Sequence, residues 1–124
     1  MATILVIDDD PVTRGYARMI LARAGHHILE AAGGREGLHI YRDGGVDLLV
    51  CDLFMPDMDG LEVIREVRGH SPDAKIIAVS AGSSDGRFNM LPTAERLGAD
   101  AVLGKPYKPG ELVERVQALL GVPV

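Results

Sequence analysis

Short apolar runs alternate with helix-spaced patterns from one end of this chain to the other, and that alternation limits its possible folds more than any other feature. TILVID (residues 3–8) is an unbroken β-branched and leucine run, as a strand covered on both faces requires. Asp10 and Pro11 then read as an N-cap and a first helical residue. Ala17, Ile20, Leu21 and Ala24 follow at helical spacing, and Gly25 supplies a stop. HILEA is a weaker second strand, and GGREGLHIYRDGG a short helix bounded by glycines, with Leu38 and Tyr41 on one face. VDLLVCD gives a third strand, while Leu61, Ile64 and Val67 mark a third helix between Gly60 and Gly69. AKIIAVS reads as a fourth strand and GADAVLGK contains a fifth. Leu112, Val113, Val116, Leu119 and Leu120 make the last helix a single apolar stripe, ended by Gly121 and Pro123.

Strands in alternation with helices predict a parallel sheet between two helix layers. Right-handed crossovers make it an open, doubly wound, five-stranded α/β sheet with helices on both faces. The 124 residues are expected to form one domain over 1–124, and 47% apolar residues suffice for its core. A net charge of −5, with the Lys and Arg scattered, argues against direct nucleic-acid binding. The single cysteine, Cys51, excludes an internal disulfide and a multi-cysteine zinc site, and its strand context predicts a buried, inert thiol. Met1-Ala2-Thr3 lacks the basic start of a signal peptide, and the run from Ile4 to Ile7 is too short to span a membrane. A cytoplasmic location without membrane contact is the resulting expectation.

In open α/β sheets, ligands sit beyond the carboxyl ends of the strands, near the switch in strand order. Strand one delivers Asp8, Asp9 and Asp10 to that edge, strand three Asp52, strand four Ser80 and strand five Lys105. In the flavodoxin-like order 2-1-3-4-5, strands one and three are neighbours, so the carboxylates of Asp8, Asp9 and Asp52 meet. Unscreened, their repulsion raises at least one pKa. A hard divalent cation relieves it, and Mg2+ suits best, because it accepts two carboxylates and keeps its waters. Lys105 cancels the remaining formal charge. A neutral pocket with an open carboxylate, a hydroxyl and an ammonium suits phosphoryl transfer to Asp52, with Ser80 donating to a transferring oxygen.

VIDDDPVTR, CDLFMPDMDG, AVSA and GKPY, in this order, resemble the signature blocks of the response-regulator receiver domain of two-component signalling. The resemblance covers essentially the whole chain, and it carries the strand order as much as the alternation does. It implies that Asp52 is the phosphoacceptor, that Asp9 and Asp52 bind Mg2+ directly, that Asp8 contributes through water, and that the Phe54 backbone carbonyl completes the protein ligands. Ser80 takes the switch hydroxyl position, Lys105 that of the phosphate-contacting lysine, and the bond before Pro106 is expected to be cis. The implied partners are a sensor histidine kinase or histidine phosphotransfer protein upstream and a downstream protein that the sequence does not name. The helix 4, strand 5 and helix 5 surface responds to phosphorylation, and a phosphorylation-dependent dimer is among the expected outputs. With no output segment after Val124, the resemblance implies a receiver that stands alone or one cut from a longer protein.

The chain departs from the family pattern at three places. Val102 replaces the aromatic residue usual three positions before the lysine, which puts an aromatic switch coupled to Ser80 in doubt. Phe54 and Gly82 occupy positions that influence the lifetime of the phosphoryl group. The stretch over residues 81–97 is longer than usual, so helix four is expected to start near Pro92, after a long mobile loop that responds most to phosphorylation.

Other polar residues read more simply. Asp10 is a helix cap, and Asp57 and Asp59 are turn and cap residues beside Pro56 and Gly60. His26, His27, His39 and His70 lack metal-ligand spacing, and Gly33, Gly34 and Gly37 do not form a dinucleotide fingerprint. Three rivals stand beside the receiver reading. A receiver fold used only for binding would keep the same pattern without phosphorylation. A flavodoxin-like cofactor binder would have to hold a flavin with two Phe, three Tyr and no Trp. A haloacid-dehalogenase-type phosphatase needs an Asp-x-Asp strand end, but Leu53 and Phe54 follow Asp52.

Overall fold

Alternate residues of each strand point to opposite sides of the sheet, and in this protein both sides are covered. The computed structural model describes residues 2–81 and 91–121. The chain runs β1 (Thr3–Ile7), α1 (Pro11–Arg23), β2 (His27–Ala31), α2 (Gly34–Arg42), β3 (Leu48–Asp52), α3 (Gly60–His70), β4 (Ile76–Ser80), α4 (Leu91–Leu97), β5 (Ala101–Gly104) and α5 (Pro109–Leu120). The strands pair in parallel in the order β2-β1-β3-β4-β5, the predicted order. Ile4 and Val6 of β1, with Leu48, Val50, Ile77 and Val79, pack under Ala17, Ile20 and Leu21 of α1 and Leu112 and Val116 of α5. Leu5 and Ile7, with Leu49, Cys51, Ile76 and Ala78, pack under Leu38 of α2, Val63, Ile64 and Val67 of α3 and Ala94 of α4. Every residue of β3 and β4 is buried, which is why those two strands read as continuous apolar runs. The edge strand β2 leaves His27 and Glu30 exposed, hence its weaker signal.

Local chemistry sets the element ends. The Asp10 carboxylate accepts from the Val12 amide at 2.9 Å, and Pro11 occupies the first turn of α1, as predicted. Ala24 falls at the cap of α1 and is exposed, not on the buried stripe, because the helix has already ended. The Asp59 carboxylate caps α3 through the Glu62 amide at 2.9 Å. Contrary to the expected stop, α3 continues through Gly69 to His70, and the Ser71 amide closes its last turn on the Val67 carbonyl at 2.8 Å. α4 is described from Leu91; the long loop expected before it, with Gly82 and residues 83–89, lies outside the described residues. Pro123 does too.

One side chain ties three chain segments together at the far side of the sheet. Arg68 donates to the carbonyls of Gly98, Pro72 and Ala74 and to the Asp100 carboxylate, with distances of 2.6 to 3.2 Å. Asp100 Oδ2 also accepts from the Ile76 amide at 2.8 Å, so the entries to β4 and β5 are fixed by one guanidinium–carboxylate pair. Among the described residues, no helix is long and apolar enough to cross a membrane.

Candidate functional site

The parallel register brings four strand ends to one edge. Ile7 lies opposite Cys51, so the next residues, Asp8 and Asp52, leave β1 and β3 side by side. Ser80 lies opposite Gly104, and the Lys105 amide donates to the Ser80 carbonyl at 2.8 Å. α3 closes in from behind: the Gly60 amide donates to the Leu53 carbonyl at 3.0 Å. A Cβ at Gly60 would overlap the Asp52 carbonyl oxygen and crowd the Leu53 Cα, so this residue must be glycine for the helix to approach the strand end so closely.

Side chains from β1, β3 and β5 then converge. Lys105 Nζ lies 2.9 Å from Asp8 Oδ2 and 3.3 Å from Asp52 Oδ1, one ammonium shared between two carboxylates. Asp8 is 6% and Asp52 7% exposed, while Asp9 faces solvent. Ser80 is 1% exposed at the end of β4. The Lys105–Pro106 peptide is cis, as the sequence led us to expect. Phe54, two residues beyond Asp52, keeps 49% of its surface exposed.

Burial is the main influence on Asp52 and pushes its pKa up to about 6. The Lys105 charge pulls it down, and the neighbouring Asp8 and Asp9 carboxylates push it further up. Burial works against the Lys105 ammonium, yet the Asp8 and Asp52 carboxylates outweigh it and raise its pKa. Cys51, fully buried beneath this cluster as expected, is likewise pushed up by burial first and by the carboxylates second.

Asp8, Asp9 and Asp52 each offer one oxygen, and these oxygens lie within 4.8 Å of one another. Two oxygens on opposite sides of one Mg2+ sit about 4.2 Å apart, and a ligand acting through water sits further out. Three hard oxygen donors with this span, with no nitrogen or sulfur among them, fit a small divalent cation.

Several residues near this cluster escaped the sequence reading. The Thr13 hydroxyl donates to Asp8 Oδ2 at 2.6 Å, and the Arg14 guanidinium donates to the Asp8 carbonyl at 2.9 Å while meeting Glu30 at 3.2 Å. A signal for Thr13 was available: it precedes the buried Ala17, Ile20 and Leu21 by four, seven and eight residues, a half-buried polar residue in helical register with that stripe. Asp57 does more than shape its own turn. Gly33, the N-cap of α2, has no side chain, and the Asp57 carboxylate instead takes long contacts of 3.4 and 3.5 Å from the Gly34 and Arg35 amides. The Met58 amide and these two hold its pKa below the usual carboxylate range. No local pattern could have revealed a cap supplied from 23 residues away.

The exposed side of α1 carries large apolar residues beside Arg18 and Arg23. Val12, Tyr16, Met19 and Phe54 are the large hydrophobic residues left exposed among those described, so all four lie on α1 or beside Asp52. Tyr16 also meets Tyr107 with ring centroids 5.8 Å apart, and Thr13, Tyr16, Ala81, Lys105, Pro106 and Tyr107 line a groove that opens beside Lys105.

Known proteins resemble this chain in both sequence and fold. The chemotaxis protein CheY of Thermotoga maritima is 34% identical over 112 residues, covering 90% of this chain and 91% of that protein. The sensor kinase CckA of Brucella abortus is 38% identical over 122 residues, 96% of this chain but 12% of CckA. The transcriptional regulatory protein SrrA of Staphylococcus aureus is 32% identical over 117 residues, 94% of this chain and 47% of SrrA. This chain therefore matches nearly all of one relative and a minor part of the two others. Among solved structures, the response regulator TrrA of Thermotoga maritima, in complex with Mg2+-BeF, superposes with a TM-score of 0.84 at 36% identity over 96% of this chain and 99% of that one. A receiver domain protein from Clostridium thermocellum gives 0.89 at 27% identity, over 98% and 95%. The sequence profile described as "Response regulator receiver domain" matches residues 4–117, from the first buried residue of β1 into α5. With the predicted strand order, the acidic edge and these similarities in agreement, the chain belongs to the response regulator receiver domain family of two-component systems.

Proposed function

We propose that the protein is a phosphorylation-controlled switch in which Asp52 accepts a phosphoryl group from a phosphohistidine. Receiver domains are signalling modules that work with kinases or phosphotransfer proteins, and the donor here is a sensor histidine kinase or histidine phosphotransfer protein. The observation that carries this reading is a buried carboxylate, Asp52, 3.3 Å from the Lys105 ammonium inside a cluster of acidic oxygens. Asp52 attacks phosphorus and forms an acyl-phosphate O–P bond; the P–N bond to the donor imidazole breaks, and the leaving nitrogen keeps the electron pair and takes up a proton from solvent.

Asp9 and Asp52 would hold Mg2+ directly, Asp8 through water, with the Phe54 carbonyl as a further donor. When bound, Mg2+ would neutralise the carboxylates and take up charge on the transferring oxygens. Lys105 moves from Asp8 and Asp52 to the phosphoryl group, and the Ser80 hydroxyl donates to another of its oxygens. Because the Lys105 amide is bonded to the Ser80 carbonyl, displacement at the site reaches β5 and biases the α4, β5 and α5 surface, where a downstream protein or a second copy of the chain docks. The donor docks on α1, whose exposed Val12, Tyr16 and Met19 offer it apolar surface together with Phe54, two residues beyond Asp52. No step requires a resident active-site nucleophile beyond Asp52, so the chemistry is self-catalysed acceptance followed by slow hydrolysis.

Incubation with acetyl phosphate and Mg2+, followed by intact-mass measurement, tests this. A gain of one phosphoryl group that disappears in Asp52→Asn is the expected result. No gain in the wild-type protein would leave a receiver fold that acts by binding alone.

A further inference from the structure

α1 presents one polar side chain to the acidic edge one turn before its buried stripe begins. Thr13 is half-buried there, and its hydroxyl donates to Asp8 Oδ2 at 2.6 Å. That is the shortest of three contacts on the Asp8 carboxylate among the described residues: the Asp10 amide donates to Oδ1 at 3.0 Å and Lys105 Nζ to Oδ2 at 2.9 Å. An ionised carboxylate has about four acceptor positions. The described residues take three of them, which holds the orientation of Asp8. Thr13 Oγ1 also lies 3.5 Å from Lys105 Nζ, so the hydroxyl faces both the acid and its counterion.

We infer that Thr13 is a positioning residue that holds Asp8 aimed at the cation site after Lys105 has left it. The inference rests on the phosphoacceptor reading above and deepens it. Of the two side chains now on Oδ2, Lys105 is the one that must leave for the phosphoryl group. The Thr13 hydroxyl then remains the side-chain donor on that oxygen, and the Asp10 amide alone would leave the carboxylate free to swing about one bond. Partners of direct metal ligands typically change the affinity by about 10- to 100-fold; Asp8 would reach the ion through water, so the effect of Thr13 falls at or below the lower end of that range.

The test uses wild-type protein, Thr13→Val and Thr13→Ser, each titrated with Mg2+ alone and followed by backbone amide NMR shifts. The same three proteins are then incubated with acetyl phosphate at saturating Mg2+ and weighed intact. Thr13→Val keeps the volume and removes only the hydroxyl; its Mg2+ dissociation constant is expected to rise several-fold, up to about tenfold. Thr13→Ser restores wild-type affinity, and all three gain one phosphoryl group once Mg2+ saturates. Packing alone predicts the reverse, since serine lacks the methyl group that valine retains. Unchanged Mg2+ affinity in Thr13→Val overturns the role of Thr13 while leaving the phosphoacceptor reading intact. A wild-type protein that binds no Mg2+ and gains no mass overturns both.

Discussion

Lys105 Nζ lies 2.9 Å from Asp8 Oδ2, a contact closed across 97 residues of chain. With Asp52 Oδ1 at 3.3 Å, the same ammonium holds two carboxylates that would otherwise repel each other inside a mostly buried edge. Lys105→Met keeps the aliphatic stem and removes the charge. Breaking one side of a buried ion pair costs about 3–5 kcal/mol, and with 18% of the Lys105 side chain exposed we expect about 1–3 kcal/mol at pH 7. At pH 5 the loss shrinks, because Asp52, with its pKa near 6, is then mostly protonated. Urea midpoints of both proteins at the two pH values measure this; equal losses at pH 5 and pH 7 would count against it.

Asp52 is a strained carboxylate in the absence of a cation, and pH reveals the strain. Burial sets its folded pKa at about 6 against an ordinary 3.8, so the folded state binds the proton more tightly than the unfolded one. Stability from this group is therefore greatest below pH 4 and declines as pH rises toward 6. Asp52→Asn cannot ionise and escapes that decline. At about 1.36 kcal/mol per pH unit, with Lys105 giving up one of its two partners, the variant should be about 1–3 kcal/mol more stable at pH 7. The advantage vanishes near pH 4. Denaturation curves from pH 4 to 7 decide it, and a variant less stable at pH 7 would refute the assignment.

The alternation of runs and helical patterns revealed the parallel sheet and its strand-end carboxylates, because both faces are covered and those carboxylates have no reason to follow apolar runs unless something gathers them; the strand order rested as much on the resemblance to receiver domains. Legibility fell where one residue depends on a distant one. Nothing near Asp57 announces that it serves the bare glycine cap of α2, and nothing near Arg68 announces Gly98 or Asp100. Element ends drifted for a related reason: Gly69 is a poor helix residue, but the Ser71 amide still finds the Val67 carbonyl and the helix continues past it. Thr13 was overlooked although the period of α1 contains it, because a threonine in the first turn of a helix carries no signal of its own.

Gly60→Ala separates helix propensity from site geometry. Alanine favours a helix over glycine by about 1 kcal/mol. Here its Cβ would overlap the Asp52 carbonyl and lie 2.7 Å from the Leu53 Cα, both backbone atoms that cannot step aside without moving the strand end. Overpacking of this kind costs about 1–3 kcal/mol. We expect net destabilisation, displaced amide shifts at Asp52 and Leu53, and slower labelling by acetyl phosphate. A more stable variant with unchanged shifts would show that α3 has room to spare.

Arg68 binds the α3 end to the turns before β4 and β5, and its weight lies in the carbonyls and not in the ion pair. Nε and Nη2 share the Gly98 carbonyl at 3.2 and 2.6 Å, Nη1 takes those of Pro72 and Ala74 at 2.7 Å each, and Nη2 reaches Asp100 at 2.8 Å. The Arg68–Asp100 pair is partly exposed, so Asp100→Asn, which keeps an acceptor for the Ile76 amide, should cost no more than about 1 kcal/mol. Arg68→Lys retains the charge but replaces a planar fork with a point, which cannot reach Gly98, Pro72 and Ala74 together. Loss of hydrogen bonds from a charged donor to half-buried carbonyls should cost about 2–3 kcal/mol. The two variants are compared by chemical denaturation and by hydrogen exchange at Gly98, Ala99 and Asp100. If Asp100→Asn proves the more damaging, the ion pair and not the carbonyl clamp holds these turns.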